Sequence, residues 1–245
     1  MPETLPFDNV FNFRDLGGYR TVDGRTVRRR RVYRADDLGR LTGPDLERFA
    51  ALGIRTVLDL RRPNELEDFG RIPPSDRFEY RHIHVKHTKW EPADFSAPGA
   101  RTAYLVDRYL EMVDLGAGGI AEALRTVADP GAAPLVFHCM AGKDRTGLVA
   151  AFTLHLLGVS DDDIADDYAR SELAEAPNWE WQARRRPAGQ APPARRWEEF
   201  TIAPREAILG LFSRVRQEHG SIPEFLRSIG VTRVHAEAMR THLLE

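Results

Sequence analysis

One cysteine in 245 residues leaves no partner for an intramolecular disulfide and excludes a cysteine-rich zinc site. A lone thiol suits a reducing compartment better than an oxidising one. Lysine is nearly as scarce, standing only at 86, 89 and 143 among abundant arginines. No stretch approaches the roughly 20 apolar residues that cross a bilayer, so no membrane span is expected. The first ten residues are polar, hold two prolines and lack both a basic flank and an apolar centre, so no secretory leader is expected. An excess of one charge is also missing. The 35 Lys and Arg against 37 Asp and Glu leave a net charge of −2, too little field to argue for nucleic acid. Any anion must therefore be met by a local site.

What is present is an ordinary globular composition, 42% hydrophobic and 29% charged, long enough for one α/β domain over 1–245. Turn signals at Gly17-Gly18 and Asp23-Gly24 predict a hairpin or edge layer within 11–34. A short helix is expected over 41–53, with Thr42 as cap and Gly53 as stop. Strands are expected at 54–60, 78–85 and 135–138. Helices are expected from Pro63 to Phe69, over 101–115 and 117–128, from Arg145 to Leu157, and from Asp161 behind a Ser160 cap. A Ser221–Glu224 capping box introduces two short terminal helices. Residues 176–204, with Trp179, Trp181, Trp197 and the clusters Arg184–Arg186 and Arg195–Arg196, read as an irregular surface excursion. Strands alternating with helices imply a mostly parallel sheet flanked by helices. The strands ending at Leu60 and His138 would then open on one edge, where such sheets bind ligands.

The chemistry lies in LVFHCMAGKDRTG at 135–147, which runs strand, tight loop, helix. A helix starting near Arg145 presents unpaired N–H groups and a positive dipole end. The loop before it can turn its own N–H groups inward as an anion nest, formed by Met140, Ala141, Gly142 and Lys143. Gly142 and Gly147 let backbone approach the anion. Arg145 offers a planar fork for two phosphate oxygens. Cys139 lies at the bottom of this cup, which favours the nucleophilic thiolate, and His138 is placed to help hold that charge. A buried core cysteine is the bland alternative. The glycines and cations that follow at this spacing argue against it.

HCMAGKDRTG resembles the active-site signature of the protein-tyrosine phosphatase superfamily, His-Cys-x5-Arg-[Ser/Thr]. The Lys-Asp pair resembles its bacterial group, which includes dual-specificity and phosphoinositide-active members. NFRDLGG at 12–18, VYR at 32–34 followed by Asp36, and LDLR at 58–61 fall in that group's order. The resemblance implies a tyrosine-phosphatase-like fold with a helical lid or insertion. It implies phosphate transfer to Cys139, a phosphocysteine intermediate and its hydrolysis by water, with no metal or other cofactor. Thr146 would steady the thiolate or help the leaving group with its hydroxyl, and Arg14, Asp15 and Arg61 would support the site. The implied substrate is phosphotyrosine, extending to phosphoserine and phosphothreonine, with a phosphoinositide as the alternative. A phosphate-binding module without turnover is the reading from another class. The cytoplasm is the default location, although members of the group include proteins secreted without an obvious signal.

The departing oxygen needs a proton, and three aspartates compete to supply it. Asp59 ends its strand on the Cys139 edge and falls in LDLR, which ranks it first. Asp144, inside the loop, is the alternative general acid. Asp94, in WEPAD at 90–94, stands third. Lys143 could draw in a second phosphate, as on an inositol ring, or simply raise local potential. The tryptophans of 176–204 and the helices of 101–128 are candidate lids. Oligomeric state is not legible.

Overall fold

The computed structural model describes residues 4–90, 97, 99–185 and 202–245. Strands β2 (Val32–Ala35), β3 (Thr56–Asp59) and β5 (Leu135–His138) are buried along their whole length. Such runs, apolar on both faces, belong inside a parallel sheet covered on both sides. The sheet has five strands in the order β1-β2-β5-β3-β4. β1 (Arg14–Asp15) pairs antiparallel with β2, and the remaining pairs are parallel. β4 (Glu79–His82) is the half-exposed edge.

Alternate side chains of each strand go to opposite faces. Leu58, Leu135 and Phe137 enter one core, with Leu148, Phe152 and residues of the helices. Val57, Val136 and Tyr33 enter the other, with Phe13, Leu38, Phe49 and Ile72. The larger core is enclosed by α3 (Ala100–Leu115), α4 (Ala117–Ala128), α5 (Asp144–Leu157) and α6 (Asp161–Ala169). α5 is buried almost all round, which fits its run of apolar residues. The smaller face carries α1 (Pro44–Ala51), while α2 (Pro63–Phe69) follows β3.

The mostly parallel sheet and the shared edge match expectation, because β3 and β5 pair Asp59 with His138 in parallel register. The differences have physical causes. The cap of α1 is Gly43, not Thr42, with a positive φ of 51°. The excursion starts later than its proline content suggests, since α7 (Glu175–Arg185) is helical. Pro177 lies in its first turn, where a missing N–H costs nothing. Helix α8 (Arg205–His219) precedes the two expected terminal helices, α9 (Ile222–Ser228) and α10 (Arg233–Leu243). α3 and α4 bury Leu105, Tyr109, Ile120 and Leu124, so they form part of the body and not a lid. Trp197 and Asp94 lie outside the described residues. Among the described residues, no helix is long and apolar enough to cross a membrane.

Candidate active site

The loop from Cys139 to Lys143 joins β5 to α5 at the carboxyl edge of the sheet. Three successive carbonyls of this loop are tied from behind. Met140 O accepts from Asp37 N–H (3.2 Å). Ala141 O accepts from Asn12 Nδ2 (2.9 Å), and Gly142 O accepts from Arg34 Nη2 (2.7 Å). In a planar trans peptide the C=O of one residue and the N–H of the next point oppositely. Anchoring these carbonyls therefore aims the N–H groups of Ala141, Gly142 and Lys143 the other way, as an anion nest requires.

The ties are themselves buried. Arg34 is fully buried and also binds Asp167 (2.5 Å). Arg14 meets the same carboxylate through Nε (3.0 Å) and donates to Asn12 Oδ1. One aspartate thus holds two arginines against the back of the loop. Burial, then Arg14, lowers the Arg34 pKa to about 10, while Asp167 and Cys139 act to keep its proton. Gly142 has a φ of +67°, and a Cβ there would lie 2.6 Å from Ala35 O. It lets the loop back onto the end of β2. Gly147 meets the ring of Tyr168, where a Cβ would stand 3.2 Å from Cδ2. The two glycines thus serve close packing behind the loop and under the first turn of α5.

Cys139 is the free thiol and is buried. Arg145 is held by Glu65 at two points, Nη1 to Oε2 at 2.5 Å and Nη2 to Oε1 at 2.9 Å. Burial opposes the charge of Arg145, but Cys139 and Glu65 outweigh it and raise its pKa. Lys143 is buried, donating to Ile202 O (3.1 Å) and lying 3.6 Å from Asp144 Oδ1. Thr146 Oγ1 is buried and has no hydrogen-bond partner among the described residues.

The two leading aspartates differ sharply. Asp59 has no exposed surface. Its oxygens take Arg61 Nε (2.9 Å) and Nη2 (2.7 Å) and the Tyr80 hydroxyl (2.9 Å). Burial works to raise its pKa, yet His138, then the hydrogen bonds and charge of Arg61 and the Tyr80 hydroxyl, hold it well below the carboxylate range. His138 Nε2 stands 3.5 Å from Asp59 Oδ2; burial shifts its pKa down, with Asp59 pulling the other way. Arg61 reaches further, to Asp37 (2.9 Å) and Gly70 O (2.8 Å). Asp59, Arg61 and His138 thus form a brace beneath the loop. Asp144, by contrast, is one-fifth exposed and begins α5 at the loop's mouth. Its Oδ1 accepts from the Tyr109 hydroxyl (2.6 Å).

Asp15, expected among the supports, ends β1. It closes the β1–β2 hairpin, accepting from Gly17 N–H (2.8 Å) and Arg30 N–H (2.8 Å). α7 docks beside the site. Trp181 Nε1 donates to Asn9 Oδ1 (2.7 Å), the Arg40 guanidinium lies 4.4 Å from the Trp181 ring, and Arg40 donates to Asn178 (2.6 Å).

A family model described as tyrosine phosphatase matches residues 5–245. The chain belongs to the tyrosine phosphatase family. Over 182 residues the chain is 34% identical to a Cupriavidus necator protein that carries a tyrosine-protein phosphatase name, covering 70% of this chain. The chain spans 64% of the length of that relative. It is 29% identical to a tyrosine-protein phosphatase of Nostoc commune, with 86% and 73% of the two chains covered. It is 28% identical to the triple specificity protein phosphatase PtpB of Mycobacterium tuberculosis, with 96% and 97% covered.

Among the groups of this site that the sequence did not point to are Glu65, Tyr109 and Asp167. Glu65 left a weak signal, an acid in the first turn of a helix that follows a strand on the catalytic edge. Tyr109 and Asp167 left none, because each meets the site only through tertiary packing.

Proposed function

We propose that this protein hydrolyses phosphotyrosine, and phosphoserine or phosphothreonine less selectively, through a phosphocysteine at Cys139. One observation carries this reading: three anchored carbonyls turn the loop's N–H groups around a buried thiol, beneath a guanidinium fixed by Glu65. The thiolate attacks phosphorus, the S–P bond forms, and the P–O bond to the leaving group breaks. The nest and Arg145 stabilise the charge on the equatorial oxygens. Asp144 gives its proton to the departing oxygen and then takes one from the water that cleaves the S–P bond. Its exposure and its place on the rim support that role, whereas Asp59 has neither solvent access nor a free oxygen. Thr146 Oγ1, buried without a partner among the described residues, suits a sulfur anion. The catalytic unit is one domain across the chain, supported by a single sheet whose two faces are covered by elements from the whole sequence.

The name of PtpB states several specificities for that relative, which supports a range of monoesters here. Lys143 already gives its ammonium to Ile202 O, which favours a role within the loop over capture of a second phosphate. The test is a panel of phosphotyrosine peptide, phosphoserine peptide and inositol lipid, run on wild type and Cys139→Ser. The expected result is the highest kcat/KM on phosphotyrosine, with the serine variant binding and not turning over. Binding without turnover by wild type would make the protein a phosphate-recognition module instead.

A further inference from the structure

Tyr109 and Tyr168 come from different helices, α3 and α6, and meet hydroxyl to hydroxyl at 2.6 Å with their rings edge to face. Both side chains are buried. The Tyr109 hydroxyl also lies 2.6 Å from Asp144 Oδ1. A phenol has one proton to donate. If Tyr109 spends it on the carboxylate, its lone pair must accept from Tyr168. The direction of the chain is thereby fixed: Tyr168 to Tyr109 to Asp144.

We propose that this two-tyrosine chain is the positioning device of the general acid, holding Oδ1 of Asp144 so that Oδ2 faces the leaving group with the proton. The inference rests on the assignment of Asp144 above. Neither tyrosine touches the reacting atoms, so both act through Asp144. Lys143, 3.6 Å from the same Oδ1, adds a second restraint on that oxygen. Burial, then the nearby Asp144 charge, raises both tyrosine pKa values well above the ordinary phenol, so both hydroxyls keep their protons. When the proton leaves Oδ2, the Tyr109 hydrogen bond stabilises the carboxylate that forms. Gly147 has a part in this arrangement, because its missing Cβ leaves room for the Tyr168 ring against α5.

The test compares kcat/KM on para-nitrophenyl phosphate, whose leaving group departs without protonation, with that on phenyl phosphate, whose leaving group needs the proton. The ratio of the two cancels any loss of folded enzyme. Tyr109→Phe should raise the ratio in favour of the nitrophenyl ester by about tenfold, a misplacement of the acid and not its removal. Tyr168→Phe should raise it less, and Asp144→Asn should raise it most. In an Asp144→Asn background, Tyr109→Phe should add nothing. If Asp144→Asn raises the ratio and Tyr109→Phe does not, the relay is wrong and the acid assignment stands. If Asp144→Asn leaves the ratio unchanged, the assignment fails and takes the relay with it.

Discussion

Arg145 and Glu65 are joined by two parallel hydrogen bonds, Nη1 to Oε2 and Nη2 to Oε1, although one lies in the first turn of α5 and the other 80 residues earlier. A two-point pair fixes a guanidinium plane as well as its position. Burial opposes the charge on Glu65, but Arg145 overcomes it and holds the carboxyl at about pKa 2. The sign follows: a depressed acid stabilises the fold above its unfolded pKa and loses that contribution only as pH falls toward 2. The pair therefore stays intact through any practical assay range. Glu65→Gln keeps the shape but loses the ionic fork. It should lower kcat/KM by on the order of 100-fold, the scale expected when a catalytic group is misplaced by about an ångström. Arsenate inhibition, measured alongside, should weaken. Unchanged kinetics would show that Arg145 is oriented by the loop alone.

The two glycines of the motif should behave differently when given a methyl group. At Gly142 the added carbon would stand 2.6 Å from a backbone oxygen of β2, in a conformation of positive φ. Backbone cannot swing aside, so the loop itself must move. At Gly147 the same carbon meets side chains, the Tyr168 ring at 3.2 Å and Arg34 Nη2 at 3.6 Å, and no backbone so close. Gly142→Ala should cost on the order of 100-fold in kcat/KM with the fold retained, and Gly147→Ala on the order of tenfold or less. Steady-state kinetics with circular dichroism as the folding check would decide. Equal losses at the two positions would contradict the packing described here.

Much of this was legible because it is local. The span from Cys139 to Arg145 is continuous in the chain, and β5 and α2 have the expected limits since a buried apolar run and a Pro-initiated turn announce themselves. The supports were hidden because they are not local. Arg34 finds Asp167 across 133 positions, and Tyr109 finds Asp144 across 35. No spacing rule connects such pairs. Asp59 shows how a correct placement can mislead. It does end its strand beside His138, as the parallel topology required. Arg61, two residues on, folds back and occupies it, the pairing that the spacing of Asp59 and Arg61 allowed as the bland alternative.

Asp59 should accordingly be a stability residue. Asp59→Asn would leave Arg61 buried with half its partners. Breaking a buried ion pair on one side costs about 3–5 kcal/mol, which lowers Tm by on the order of 10 °C in a chain of this size. The ratio of kcat/KM between activated and poor leaving groups should stay at the wild-type value. A thermal melt and the two-substrate assay check both halves. A ratio shifted as strongly as in Asp144→Asn, with Tm unchanged, would return Asp59 to the role of proton donor.

Glu175 opens α7 and is half-buried. Burial raises its pKa to about 7, with Lys143 pulling the other way and Asp144 and Asp36 adding to the rise. Below pH 7 the group is neutral. As pH rises through that value it becomes an anion in the field of Lys143 and Asp144, the residues where the loop meets α5. Like charges at that range oppose binding. KM should therefore climb on the alkaline side of pH 7 more steeply in wild type than in Glu175→Gln, whose side chain stays neutral throughout. The substrate's own titration is common to both proteins, so the quotient of their KM values isolates this group. The quotient should be near one at pH 6 and rise to about threefold by pH 8, a modest effect because the group is partly exposed. Stability should follow the same sign: a raised acid favours the fold below its unfolded pKa and loses that contribution as pH passes 7. A quotient that stays flat from pH 6 to pH 8 would mean that Glu175 does not change charge there or does not act on the incoming phosphate.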